Sequence, residues 1–221
     1  MKVFSFCLYG DKPKYIRGMH ENIKIITEKF PDWKVYIYYK DCPIEQFLGY
    51  TNVVAILGNY SGSRITLDRF CAIDEPDVEV MIVRDADSRI HIRDEWCIRQ
   101  FLDSSKLFHI IRDNGHHGTY ILAGLCGIKK KCIPYVLMRT YINTFLKTTI
   151  PILRTDDQTF LRNVIYPKIT DRVLIHGGIC LQSETNVIIP FKTPHLFCGQ
   201  VIEFAEDGSE YHNCEDCSLI I

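Results

Sequence analysis

Two carboxylates one residue apart, Asp85 and Asp87, sit in the run Arg84-Asp85-Ala86-Asp87-Ser88-Arg89. At a bend both can aim at one hard divalent cation, Mn2+ or Mg2+, which also takes the oxygens of a diphosphate. When a bond to a diphosphate leaving group breaks, such a cation stabilises the growing negative charge and orients the group. Arg64, Arg69, Arg84 and Arg89 are near enough in sequence to add guanidinium contacts to phosphate. An Asp-x-Asp tripeptide on its own is usually a solvated turn. This one directly follows residues 79–83, an apolar, β-branched run that reads as a buried central strand. Open α/β sheets bind ligands at the carboxyl ends of such strands.

Other Asp-x-Asp chemistries fit less well. An EF-hand loop starting at Asp85 needs Gly at its sixth place and Glu at its twelfth, where this chain has Ile90 and Trp96. A haloacid-dehalogenase phosphatase carries its motif after the first strand, not in mid-chain. A polymerase-β-type nucleotidyltransferase pairs Gly-Ser with Asp-x-Asp over a short spacer, and Gly62-Ser63 is too far away.

Further residues invite chemistry. His176 ends a short apolar run before Gly177-Gly178, which suits a residue presented on an open turn, although a lone His is more often structural. Thr155-Asp156-Asp157-Gln158 has the form of a capping box with first-turn acids, and a helix start would also hold Asp157 at the edge of a site. There Asp157 suits a general base or a hydrogen-bond partner of a substrate hydroxyl. His116-His117, between Gly115 and Gly118, reads as a flexible loop able to touch an acceptor. His212-x-Cys214-x-x-Cys217 has metal-like spacing, but a structural zinc needs four ligands, so this segment reads as a polar tail. Lys129-Lys130-Lys131 reads as a solvated turn.

The elements that must position these residues follow from periodicity. Short apolar runs at 3–9, 34–39, 52–57, 79–83, 107–111, 120–126 and 172–175 read as strands. Pro13 opens a helix carrying Tyr15, Met19, Ile23, Ile26 and Phe30 at helical spacing. Helical patterns also cover 63–73, the stretch with Trp96, Ile98 and Phe101, and about 133–147 and 156–165. The alternation predicts an α/β fold, a mostly parallel sheet flanked by helices, in one domain spanning 1–221. Residues from about 184 carry no clear period. A net charge of −1 argues against nucleic acid or an anionic membrane as partner. No apolar run approaches the ~20 residues of a membrane span. Of ten cysteines, most, such as Cys7, Cys71, Cys97, Cys126 and Cys180, lie in apolar segments, as in a reducing compartment, which points to the cytoplasm.

The motif and the acidic, Trp-bearing helix after it resemble small GT-A glycosyltransferases encoded by large DNA viruses, including chlorella viruses. Further segments agree in order and spacing. They are Gly10-Asp11-Lys12-Pro13-Lys14-Tyr15 with Gly18, Arg69-Phe70, His109-Ile110-Ile111-Arg112-Asp113, the stretch 121–129 with Gly124, Asp157-Gln158-Thr159-Phe160-Leu161, Ile165-Tyr166-Pro167 and His176. The resemblance implies a GT-A nucleotide-diphospho-sugar transferase fold, a nucleotide-sugar donor (usually a UDP-sugar), Mn2+ or Mg2+, and a glycan or glycoprotein acceptor, in the host cytoplasm if the chain is viral. It places Asp85, Asp87 and His176 on the metal, His176 by likeness to retaining transferases such as glycogenin. Leu8, Tyr9, Gly10, Lys14, Arg69, Arg84, Ala86 and Gly124 fall at the donor, and Asp157 and Gln158 near the reacting sugar. Ala123-Gly124-Leu125-Cys126-Gly127 and Asn114-Gly115-His116-His117 depart from the family pattern where sugar and acceptor would be read. Two other functions share these features: a non-catalytic sugar-nucleotide or glycan-binding domain, and a nucleotidyltransferase that makes sugar nucleotides.

Overall fold

Alternation along the strands divides the apolar residues between two faces of one sheet. In β1 (Lys2–Tyr9), Phe4, Phe6 and Leu8 pack on one side and Val3 on the other. β2 (Lys34–Lys40) splits Val35 and Ile37 from Tyr36 and Tyr38, and β4 (Val80–Val83) splits Val80 and Ile82 from Met81 and Val83. One face is covered by α1 (Pro13–Lys29) through Met19, Ile23 and Ile26, and by α2 (Ile92–Asp103) through Ile98 and Phe101. The other is covered by a 3-10 helix, Gly62–Asp74, through Leu67 and Phe70, with α3 (Met138–Thr148) and α4 (Asp156–Phe160). The computed structural model describes residues 1–132, 136–149, 153–181, 184–193, 196–205 and 207–212.

Further strands are β3 (Val53–Leu57), β5 (Phe108–Ile111), β6 (Cys126–Lys129), β7 (Val173–His176) and β8 (Asn186–Val187). The sheet order is β3-β2-β1-β4-β6-β5-β7-β8. All neighbours run parallel except β6, which is antiparallel to β4 and β5. From β1 the chain builds β2 and β3 on one side, then returns to lay β4 on the other. The carboxyl ends of β1 and β4 therefore flank a topological switch point, where such sheets open a crevice.

Several elements differ from the sequence reading. Of 120–126, only Cys126 enters a strand; 120–125 turn back over the sheet end instead. Residues 63–73 are helical but wound as 3-10, and 156–165 are α-helical only to Phe160, continuing as a π-helical turn, Leu161–Ile165. Lys129 is not a solvated turn residue: it ends β6, and its amine donates to the Leu102 and Ser104 carbonyls at the end of α2. Cys180 is exposed, while Cys71, Cys97, Cys126, Cys132 and Cys198 are buried. The aperiodic region beyond 183 supplies β8 and a hairpin, β9 (Ile202–Phe204) with β10 (Glu210–His212). Residues 133–135, where a helix was expected to begin, and Cys214 and Cys217 lie outside the described residues.

Candidate functional site

A cleft of about 310 Å³ opens at this switch point. Leu8 and Tyr9 come to it from the end of β1, Asp85, Ala86 and Asp87 from the end of β4, and Asp157 and Gln158 from the start of α4. The turn before β6 adds Leu122, Ala123, Gly124 and Leu125. The Asp-x-Asp loop is set by close backbone approaches. A Cβ on Gly18 would collide with the Ala86 carbonyl, so α1 rests directly on the loop. A Cβ on Gly124 would collide with the Asp85 carboxylate.

Arg69 organises the acids. Its guanidinium, buried on the 3-10 helix, donates through Nη1 to Asp85 Oδ1 and through Nη2 to Asp157 Oδ2 at 3.0 Å. The other Asp157 oxygen accepts from the Gln158 N–H at 2.8 Å. Thr155 makes no side-chain cap bond, so the expected capping box is not formed; acceptors at this turn come from Asp156 and Asp157. Arg64 ties Asp156 (2.9 Å) and the Thr149 carbonyl (2.7 Å) to the 3-10 helix, which fixes α4 beside the cleft.

Asp87 sits deeper than Asp85, with 13% of its side chain exposed against 49%. Burial, and then the neighbouring Asp85 charge, raise its pKa, opposed by Lys14 at 3.7 Å. Lys14 in turn bonds Glu203 of β9 at 2.9 Å. The Asp87 carbonyl accepts from Ile202 N–H at 2.8 Å, and Arg89 pairs with Glu210. The C-terminal hairpin thus braces the loop, with Gly199 and Val201 lining the cleft.

No family model matches the sequence, and no curated protein matches it. Solved structures do. The chain is similar to a glycosyltransferase involved in the glycosylation of the major capsid of PBCV-1 (15% identity, TM-score 0.52), covering 80% of this chain and 81% of that one. It is similar to the glycosyltransferase GlyE of Streptococcus pneumoniae TIGR4 (17% identity, TM-score 0.55), covering 79% of this chain and 44%, under half, of that one. A third likeness is to 4-diphosphocytidyl-2C-methyl-D-erythritol synthase from Anaerococcus prevotii DSM 20548 (11% identity, TM-score 0.51; 81% and 89% covered). At these identities the shared feature is the fold. This is the GT-A fold.

Within that GT-A sheet, some expected site residues stand elsewhere. His176 is not on an open turn: it closes β7, fully buried, with Nδ1 2.8 Å from His109 Nε2 and its ring 5.2 Å from Trp96, and it does not line the cleft. Arg84 does not line the cleft: it is buried against Asp94 (2.9 Å) and the Val83 carbonyl (2.7 Å). Arg64 and Arg89 are likewise committed to carboxylates. Gly10 turns the chain after β1 at φ +69° and does not line the cleft, nor does Lys14, which reaches it through Asp87. Of the loop histidines, His117 lines the cleft and His116 is exposed outside it. Burial lowers the His117 pKa against the pull of Asp113.

Asp85 and Asp87 suit a hard dication on chemistry and access. Asp85 Oδ1, not Oδ2, accepts from Arg69, and Lys14 is the cation nearest Asp87 among the described residues. Arg154 escaped the sequence reading. It lines the cleft and has no carboxylate partner among the described residues. Its place two residues before Asp156 was the available signal. Gly199 and Val201 gave none, since they lie in an aperiodic stretch.

Proposed function

We propose that this chain is a metal-dependent glycosyltransferase that moves a sugar from a UDP-sugar to a hydroxyl of a glycan or glycoprotein acceptor. One observation carries the reading: Asp85, Asp87 and Asp157 meet in a single cleft at the switch point of a GT-A sheet. Asp85 and Asp87 would hold Mn2+ or Mg2+. When bound there, the cation supplies positive charge to the diphosphate leaving group.

The side chains divide the remaining work. Tyr9 and Tyr15 offer aromatic walls near the end of β1 for the donor's base. Arg154 supplies a guanidinium to diphosphate oxygens. Asp157, held in one orientation by Arg69 and the Gln158 N–H, accepts a hydrogen bond from a donor-sugar hydroxyl or takes the acceptor proton. The Gln158 side chain adds an amide beside it, and neutral His117, also on the cleft wall, would contact the acceptor.

Asp87→Asn tests the assignment. In calorimetric titration with UDP and Mn2+ its affinity should fall by at least about 10-fold, the loss seen even when only an outer partner of a metal ligand is removed. EDTA should weaken wild type to the same level. Stability moves the other way. A carboxylate whose folded pKa is raised favours the fold most below its unfolded value and loses that advantage as pH rises through the folded pKa. Metal-free Asp87→Asn should therefore melt at or above wild type near neutral pH. Unchanged UDP affinity in the variant would remove Asp87 from the metal. Pyrophosphate release from a nucleoside triphosphate and a sugar phosphate would instead favour a nucleotidyltransferase. Binding of UDP-sugars without transfer or hydrolysis would favour a non-catalytic domain.

A further inference from the structure

Outside the cleft, His91, Asp94 and Cys198 each bring one ligand atom to within 4.8 Å of the others. Cys97 lies just outside that group, its side chain hydrogen-bonded to that of Cys198, and would complete a set of four by a shift of its thiol toward the other three. We propose that His91, Asp94, Cys97 and Cys198 form a structural zinc site that fastens the C-terminal segment to α2.

The residues come from two parts of the chain. His91 is the N-cap of α2, and Asp94 and Cys97 follow at intervals of three, on one face of the helix. Cys198 arrives from the segment 196–205, oriented by its N–H on Asp113 Oδ2 at 3.1 Å. Imidazole, carboxylate and two thiolates are all zinc ligands, and Zn–N or Zn–O bonds of ~2.0 Å with Zn–S of ~2.3 Å give tetrahedral edges of about 3.3–3.8 Å. His91 Nε2 and Asp94 Oδ2 are 3.5 Å apart, at the limit for a hydrogen bond and within the range for such an edge. Both atoms are buried with no hydrogen-bond partner. Asp94, Cys97 and Cys198 are fully buried.

Charge also balances. Zn2+ with two thiolates and one carboxylate carries −1, and the Arg84 guanidinium, 2.9 Å from the other Asp94 oxygen, cancels it. A neutral buried assembly avoids the cost of an uncompensated charge, and Arg84 orients the carboxylate as outer-shell partners do. On loading, Cys97 and Cys198 each release one proton to solvent. His91 Nδ1 accepts from the Arg93 N–H at 3.2 Å. Ligation through Nε2 moves the imidazole proton to Nδ1, so the site would form at the expense of this cap bond. The site would act on the cleft from behind. Cys198 immediately precedes Gly199 and Val201 on the cleft wall and Ile202 on the Asp87 carbonyl.

The test uses the full chain purified without chelator. Mass spectrometry of metals should find one zinc per chain, and replacement by Co2+ should give a thiolate-to-cobalt charge-transfer band. That band should persist in Asp87→Ala and in the double variant Cys214→Ser with Cys217→Ser, weaken in Cys198→Ser, and vanish in the double variant Cys97→Ser with Cys198→Ser. Wild type that takes up Co2+ without the band overturns the site, as does a band lost with the tail cysteines or kept by the Cys97→Ser, Cys198→Ser variant. Should that variant not fold, alkylation of wild type decides. Cys97 and Cys198 should be protected in zinc and modified after chelation, and equal modification rates in both states overturn the proposal.

Discussion

Arg69 and Asp157 lie 88 residues apart in sequence and 3.0 Å apart in space, guanidinium to carboxylate. The same guanidinium holds Asp85, so the acid proposed for the metal and the acid proposed for the sugar share one cation. A planar guanidinium fork holds two carboxylates at a fixed angle, whereas the rotatable donors of an ammonium fix no such geometry. The spacing between the two acids is therefore built into the cleft before any substrate arrives.

Arg69→Lys should keep the charge and lose the fork. We expect a stability loss of about 1–3 kcal/mol, the usual cost of an unsatisfied buried group, and a transfer rate roughly 10²-fold lower from the misplaced acids. Arg69→Met leaves Asp157, 6% exposed, without its cation and should cost about 3–5 kcal/mol. Urea melts and a transfer assay measure both. Transfer by Arg69→Lys at the wild-type rate would show that the shared cation does not position the site.

This clamp also shows what the sequence could and could not reveal. Asp85 and Asp87 were legible because they follow a fully buried four-residue strand, and the α/β alternation was legible because strand and helix periods differ. Arg69 was legible as a residue but not as a partner, since nothing local sets a contact across 88 positions. His176 misled: an apolar run before Gly177-Gly178 suggests an exposed turn, yet the parallel register opposite Ile111 pulls it under Trp96 and onto His109. The turn 120–125 reads as strand because Ile121, Ala123 and Leu125 alternate, yet Ala123 and Leu125 line the cleft and Ile121 packs into the core, all outside the sheet.

Gly124→Ala isolates the Asp85 geometry. The added methyl would overlap the Asp85 carboxylate, which can move only by leaving Arg69 or turning from the cleft. Mn2+-dependent UDP affinity should drop about 10-fold, or 1.4 kcal/mol, while urea melts change by less than in Arg69→Met. Wild-type affinity in this variant would mean that Asp85 is not needed in its present orientation.

The His109–His176 pair predicts an acid-sensitive fold. Burial holds the His176 pKa down to about 4, and burial together with His176, Arg84 and Lys129 lowers His109 well below its ordinary value. Above pH ~6.5 neither the folded nor the unfolded chain protonates these rings, so they carry no penalty. Below it the unfolded chain binds protons that the fold refuses, and stability falls until pH passes the folded value. For His176 alone the loss at pH 5 is about 2 kcal/mol. His176→Gln should be less stable at pH 7, having lost the His109 bond, but should decline less steeply between pH 7 and 5. His109 and His117, both lowered chiefly by burial, remain in both proteins and set the residual slope. Parallel pH profiles in urea melts would show that the buried pair is not the sensor.

Asp157→Asn separates positioning from architecture. Asp157 accepts from Arg69 on one oxygen and from the Gln158 N–H on the other, whereas an amide has a single acceptor oxygen. One donor is then left facing the NH2 group, at a cost of about 1–3 kcal/mol. Arg69 keeps Asp85, so the metal-binding half of the cleft survives, and UDP affinity in Mn2+ should stay close to wild type. Transfer should fall roughly 10²–10⁴-fold if the carboxylate takes the acceptor proton or holds the donor sugar. Thr155→Ala is the matched control. Thr155 is exposed and makes no cap bond, so its removal should leave stability within roughly 0.5 kcal/mol and leave the carboxylate in place. Transfer by Asp157→Asn at the rate of Thr155→Ala would reduce Asp157 to a structural partner of Arg69.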